Sequence, residues 1–166
     1  IGMRVSFIVI LLSIFYIDGI GQSIPDDSFH WYANPACITE QMDSPVFVKV
    51  EIDPVLSTTG RSDFQKTCHD MVENMALDNT INGTIKIKIL FHKDEFVMLY
   101  KIGVMGLSLS NAQRTLLRDS IEDIDVFTPG KQRGKQVNCI GILYLHIDNA
   151  ALSSFRCVNF QLRNDL

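Results

Sequence analysis

Four cysteines, four histidines and a few charged clusters are the residues of this 166-residue chain that could do chemistry. Cys37, Cys68, Cys139 and Cys157 are an even set with no short spacing among them. In a secreted chain such a set reads as two disulfides with three open connectivities. Cys139 and Cys157 flank an expected hairpin and are paired on that ground, which leaves Cys37 with Cys68. By loop entropy each bridge would stabilise the fold by about 3–4 kcal/mol. A zinc site would need Cys-x-x-Cys or closely spaced histidines, and neither is present. His30, His69, His92 and His146 fall on four different elements. The chain has no Gly-x-Ser-x-Gly, no His-Glu-x-x-His and no phosphate loop. Asp119, Glu122, Asp123 and Asp125 form an acidic run, but it lacks the alternating spacing of a calcium loop and reads as a solvated face. Lys131, Arg133 and Lys135, which follow Thr128-Pro129-Gly130, read as a basic loop. No catalytic residue, metal or cofactor is expected.

The compartment is easier to read. Met3 reads as the initiator, with Ile1 and Gly2 before it as an artefact. Arg4 and the apolar run to Ile17, followed by Gly19 and Gly21, have the form of a secretory leader over 1–21. The run is short for a membrane span. Cleavage near Gly21 would leave a secreted, extracellular protein without a membrane anchor. Asn82-Gly83-Thr84 is a glycosylation sequon, with Asn82 as acceptor. The net charge is −4, and loss of the leader removes one Arg and one Asp. That balance argues against a nucleic-acid partner or an anionic membrane.

Positioning falls to one helix and one hairpin. Phe64, Cys68, Met71, Val72 and Met75 recur with helical spacing. Ser62 and Gln65 suggest a capping box at the start, and Asp78–Gly83 a turn at the end. Ile85, Ile87, Ile89 and Phe91 then alternate with Lys86 and Lys88. After His92-Lys93-Asp94-Glu95, alternation resumes through Phe96, Met98, Tyr100, Ile102 and Val104. The expected register pairs Phe91 with Phe96, Ile89 with Met98, Ile87 with Tyr100 and Ile85 with Ile102. Residues 22–45, with Trp31 and three prolines, read as an irregular N-terminal arm. Val46–Ile52 reads as a half-buried strand, and Ser110 as the cap of a short second helix. Residues 136–147 and 153–162 read as a closing pair of strands around Asp148 and Asn149. The expected fold is α+β: one main helix on a curved antiparallel sheet of about five strands, plus a short second helix, in a single domain over 46–166.

This order of elements resembles the cystatin-like fold. Cys139-Ile140-Gly141-Ile142-Leu143-Tyr144 and Leu152-Ser153-Ser154-Phe155-Arg156-Cys157 are similar to the disulfide-closed last hairpin of type 2 cystatins. The resemblance implies a secreted, non-enzymatic domain that binds another protein, related to protease inhibitors. The inhibitory motifs are not carried over. His92-Lys93-Asp94-Glu95 stands where those proteins have Gln-x-Val-x-Gly, and Asp148-Asn149-Ala150-Ala151 where they have Pro-Trp. The two tips and Trp31 are the candidate binding loops, although a lone tryptophan near a disulfide more often packs locally. His92–Tyr100 and Ser154-Phe155 are also similar to group 7 mite-allergen proteins. That likeness implies a carrier of small hydrophobic ligands or lipids, with Met71, Met75, Met98 and Met105 as an adaptable lining.

Overall fold

A computed structural model describes residues 24–34, 37, 44–56, 60–124 and 126–162. Residues 1–23, where a leader is expected, Asp125 and the side chains of 60–62 and 126–127 lie outside the described features. The chain builds an α+β fold with two helices and a strongly curled sheet of about five strands, a half-barrel. In chain order the strands are β1 (His30–Ala33), β2 (Val46–Phe47), β3 (Val55–Leu56), β4 (Gly83–Phe91) and β5 (Val97–Met105). They continue with β6 (Val126–Thr128), β7 (Lys131–Gln132), β8 (Lys135–Gln136), β9 (Asn138–Asp148), β10 (Ala151–Val158) and β11 (Gln161–Leu162). The helices are α1 (Gly60–Asn74) and α2 (Asn111–Glu122).

The main sheet runs β1-β5-β4-β9-β10, with β2 pairing beside β10 on β9. Its long pairs are antiparallel, but β2 runs parallel to β9, so the sheet is mixed rather than wholly antiparallel. Both helices pack on one face, here the inner face. Phe64, Cys68, Met71, Val72 and Met75 of the α1 stretch are all buried with Ile85, Ile87, Ile89, Phe91, Leu143 and Leu145. The helical period thus placed its apolar face where the hairpin needed cover. The helix begins two residues before Ser62 and ends before Asp78, with Ala76 at φ 45°. At α2 a capping box forms: Gln113 N donates to Ser110 Oγ, and Ser110 N donates to Gln113 Oε1.

The hairpin register differs from the expected one. Ile85 faces Val104, Ile87 faces Ile102, Ile89 faces Leu99 and Phe91 faces Val97. Tyr100 is skipped between Lys88–Lys101 and Ile89–Leu99, which is a β-bulge. The extra residue reverses the phase of β5. Val97 and Leu99 join Ile102 and Val104 inside, whereas Met98 and Tyr100 pack outside on Leu90 and Ile140. Phe96 is left 42% exposed in the turn.

Two further expectations are corrected. The strand over Val46–Ile52 shrinks to β2, and Val48 and Ile52 are 70% and 53% exposed. β10 takes the edge of β9 from Ile142 onward, which leaves only residues 138–141, and β2 pairs with Asn138 and Cys139. The N-terminal arm is not wholly irregular. Its residues 30–33 form β1, which pairs with β5 and ends the sheet.

Candidate functional site

The outer face of the sheet carries a transverse row of side chains that no single segment contains. Trp31 is level with Gly103, Gly103 with Lys86, Lys86 with Tyr144, and Tyr144 with Arg156. Five strands therefore meet along one line. Gly103 makes the row continuous. A Cβ there would lie 3.0 Å from two indole carbons of Trp31, so only glycine lets the ring lie over β5 toward Lys86.

Lys86 is 3% exposed, yet it carries an ammonium. Its Nζ lies 5.2 Å from the Phe29 ring centre, 5.9 Å from Trp31 and 5.1 Å from Tyr144. Such an aromatic cage attracts a cation through the ring quadrupoles. Asp26, from a single 3-10 turn over 26–28, supplies the counter-charge. Its two oxygens accept from Lys86 Nζ at 2.6 Å and Lys88 Nζ at 2.5 Å. Trp31 Nε1 donates to the Asp26 carbonyl at 2.8 Å and fixes the turn over the sheet. Burial opposes the charge on Lys86, but the Asp26 and Tyr144 hydrogen bonds outweigh it and raise its pKa. The hydrogen bonds from Lys86 and Lys88 hold the Asp26 carboxyl below its usual range.

Lys88 and Lys101 stand directly opposite each other across β4 and β5. Like charges in that relation destabilise a sheet. Lys88 is drawn to Asp26 and to the Trp31 ring at 4.5 Å, and Lys101 leans over Tyr100 at 5.2 Å. At the other end Arg156 lies over Tyr144 at 4.6 Å. Its Nε is buried without a hydrogen-bond partner. His146 is 3.1 Å from Thr84 Oγ1. Burial, then Arg156, lowers its pKa and favours the neutral ring. The row can thus stack, donate and attract anions, but it brings no nucleophile and base together.

The expected binding tips are not brought together. The tip at His92, Lys93, Asp94 and Glu95 lies at the Phe91 end of β4, and Asp148 and Asn149 lie at the Gly83 end. The nine residues of β4 separate them by about 25 Å. Lys93 N donates to Asn138 Oδ1, and Asn149 N to Asn82 Oδ1, so each tip is tied to its own end of the sheet. Trp31 alone of the expected binding residues enters the row. Asn82 is exposed beside the Asn149 tip. The sequence reading missed Asp26, Lys86, Tyr144 and Arg156. The available signal was the outward phase of Lys86 and Lys88 opposite four inward apolar residues.

No family model matches this chain. No curated protein and no solved structure is detectably similar to it either.

The expected cysteine pairs do not fit the sheet. Cys157 faces Leu143, four residues from Cys139 along β9, or about 13 Å. A disulfide needs Cα atoms within about 7 Å. Cys37 packs on Leu90 and Ile140 outside, whereas Cys68 is buried inside, so the sheet lies between them. The structure contains no disulfide among the described residues. Among them too, no group of three His, Cys, Asp or Glu is placed to hold a metal, and no helix is long and apolar enough to cross a membrane.

Two concavities open elsewhere. One, of about 270 Å³, lies between Tyr32, Asn34, Leu99, Arg114 and Arg118. The other, of about 430 Å³, lies between Phe47, Arg133 and Lys135. The methionines proposed as a ligand lining do not converge: Met71 and Met75 fill the inner core, and Met98 packs outside.

Proposed function

We propose that this chain is a secreted, non-enzymatic protein-binding domain, and that its contact surface is the outer face of the sheet. The partner is an acidic segment of another protein. One observation carries the reading: in a chain of net charge −4, four cations, Lys86, Lys88, Lys101 and Arg156, share one sheet face with Asp26. Aromatic side chains lie between them, and Trp, Tyr and Arg are the residues that dominate binding hot spots. Arg156 adds a half-buried guanidinium laid over the Tyr144 ring. The cystatin-like likeness enters only as architecture, a helix clasped by a curled sheet. A wedge made from both hairpin tips has no support, because the tips point from opposite ends. Inhibition of papain-like proteases is therefore not expected. The carrier reading gains nothing from an inner face filled by Phe64, Met71 and Phe91.

Trp31, the sole tryptophan, makes the test direct. Glu- and Asp-rich synthetic peptides are titrated against the whole protein while its fluorescence is followed. Saturable quenching or shift is expected, weakening steeply with salt and lost in a K88E/R156E variant. No response to any acidic peptide at millimolar concentration, or an unchanged response in that variant, rules the surface out.

A further inference from the structure

Cys68 and Cys157 lie in the same inner cluster. The Phe64 ring packs on Phe155 at 5.5 Å and on Phe160 at 6.3 Å, the aromatic residues on either side of Cys157 in the chain. Cys68 follows Phe64 by one helical turn on the same face, a rise of about 6 Å. Cys157 shares the inner face of β10 with Phe155, because residues two apart on a strand point the same way. Helix α1 and strand β10 therefore present their two sulfurs to a common layer. Burial pushes the Cys68 thiol up, and Cys157 beside it pushes it further, as close neighbours of like charge must.

We propose that Cys68 and Cys157 form a disulfide that staples α1 to β10 in the secreted protein. The oxidant is a small or protein disulfide such as oxidised glutathione. Cys157 is partly exposed and Cys68 fully buried, so Cys157 reacts first. Its thiolate displaces one glutathione thiolate and forms a mixed disulfide. The Cys68 thiolate then attacks the Cys157 sulfur and releases the second. Two protein thiols and one glutathione disulfide become one protein disulfide and two glutathione thiols. The high pKa of Cys68 makes the second attack the slow one. Cys139 and Cys37 stay reduced. Cys139 sits beside Gly130 at the far end of β9, where burial pushes its pKa up to about 11. Cys37 lies across the sheet.

The test is tryptic mapping without reduction, on whole secreted protein or protein equilibrated in a glutathione buffer, after removal of any Asn82 glycan. Trypsin cuts after Arg156, so Cys157 leaves on peptide 157–163, apart from Cys139, and Cys68 leaves on peptide 67–86. The expected product is 67–86 linked to 157–163, with Cys37 and Cys139 alkylated after denaturation. A linkage through Cys37 or Cys139, or four alkylated thiols after exposure to oxidised glutathione, overturns the proposal. A C157S variant supplies an independent readout. Its melting temperature should fall by about 10 °C relative to the oxidised parent and match that of the reduced parent. An unchanged melting temperature also overturns the staple.

Discussion

Replacing Asp26 by Asn tests the charge balance of the outer face most directly. The carboxylate is 54% exposed, and the Lys86 side chain it serves is 4% exposed. D26N keeps the shape and removes the charge, leaving an ammonium buried against three aromatic rings. A hydrogen bond between charged groups contributes about 1.5–3 kcal/mol. Water reaches Asp26 and replaces part of that, so the expected loss is about 1–2 kcal/mol. With a urea slope of about 2 kcal/mol/M, the unfolding midpoint at pH 7 should fall by about 0.5–1 M. K86M removes the buried charge itself and should stay within about 1 kcal/mol of the parent. The pH dependence has two ends. The Asp26 carboxyl is lowered from 3.8, so its contribution is present above that value and is lost as the pH falls through the folded pKa. Lys86 is raised from 10.5, so its contribution is present below that value and is lost as the pH rises through the folded pKa. The D26N deficit should therefore be widest between these limits and vanish in acid. An unshifted midpoint in D26N, or a K86M loss as large as that of D26N, would refute the account of Lys86 as a buried charge held by Asp26.

Other substitutions probe the supports. G103V places a Cβ 3.0 Å from the Trp31 ring and 3.1 Å from Phe29 Cβ. It should cost about 1–3 kcal/mol and red-shift the tryptophan emission as the indole lifts. G141A sets a methyl 2.6 Å from Phe91 and 2.7 Å from Phe160. A thermal melt should register a loss of about 1–3 kcal/mol without a change in Trp31 emission. F64A empties a fully buried site between α1 and β10, and denaturant unfolding should show a loss of about 3–5 kcal/mol.

Local periodicity made α1 legible. A helix face is set by spacing within one segment, so Phe64, Cys68, Met71, Val72 and Met75 identified the buried side without reference to a partner. The β5 strand was not legible for the opposite reason. Val97, Met98, Leu99 and Tyr100 are all apolar, and either phase offers the core a suitable face. The bulge at Tyr100 chooses between them, and a bulge is a property of two strands. Strand order escaped in the same way. Nothing in a single segment places β4 between β5 and β9, yet that order sends the two tips to opposite ends. The register of the β9–β10 hairpin, which sets Cys157 opposite Leu143, separately keeps Cys157 away from Cys139. The row from Trp31 to Arg156 draws on five strands between residues 31 and 156 and becomes visible only across them.

The same bulge accounts for the contrast between the faces. Had β5 kept one phase, Lys101 would alternate strictly with its neighbours and Tyr100 would point inward. The extra residue instead puts Tyr100 and Lys101 on the outside together, beside Lys88. The inner face loses an aromatic hydroxyl that a dry core would have had to satisfy. The outer face gains the Tyr100 ring beside Lys101, which points outward in either phase and stands opposite Lys88, while the single carboxylate of Asp26 already serves Lys86 and Lys88. Positive charge beyond what Asp26 neutralises follows from this geometry, and it is what an acidic partner would meet.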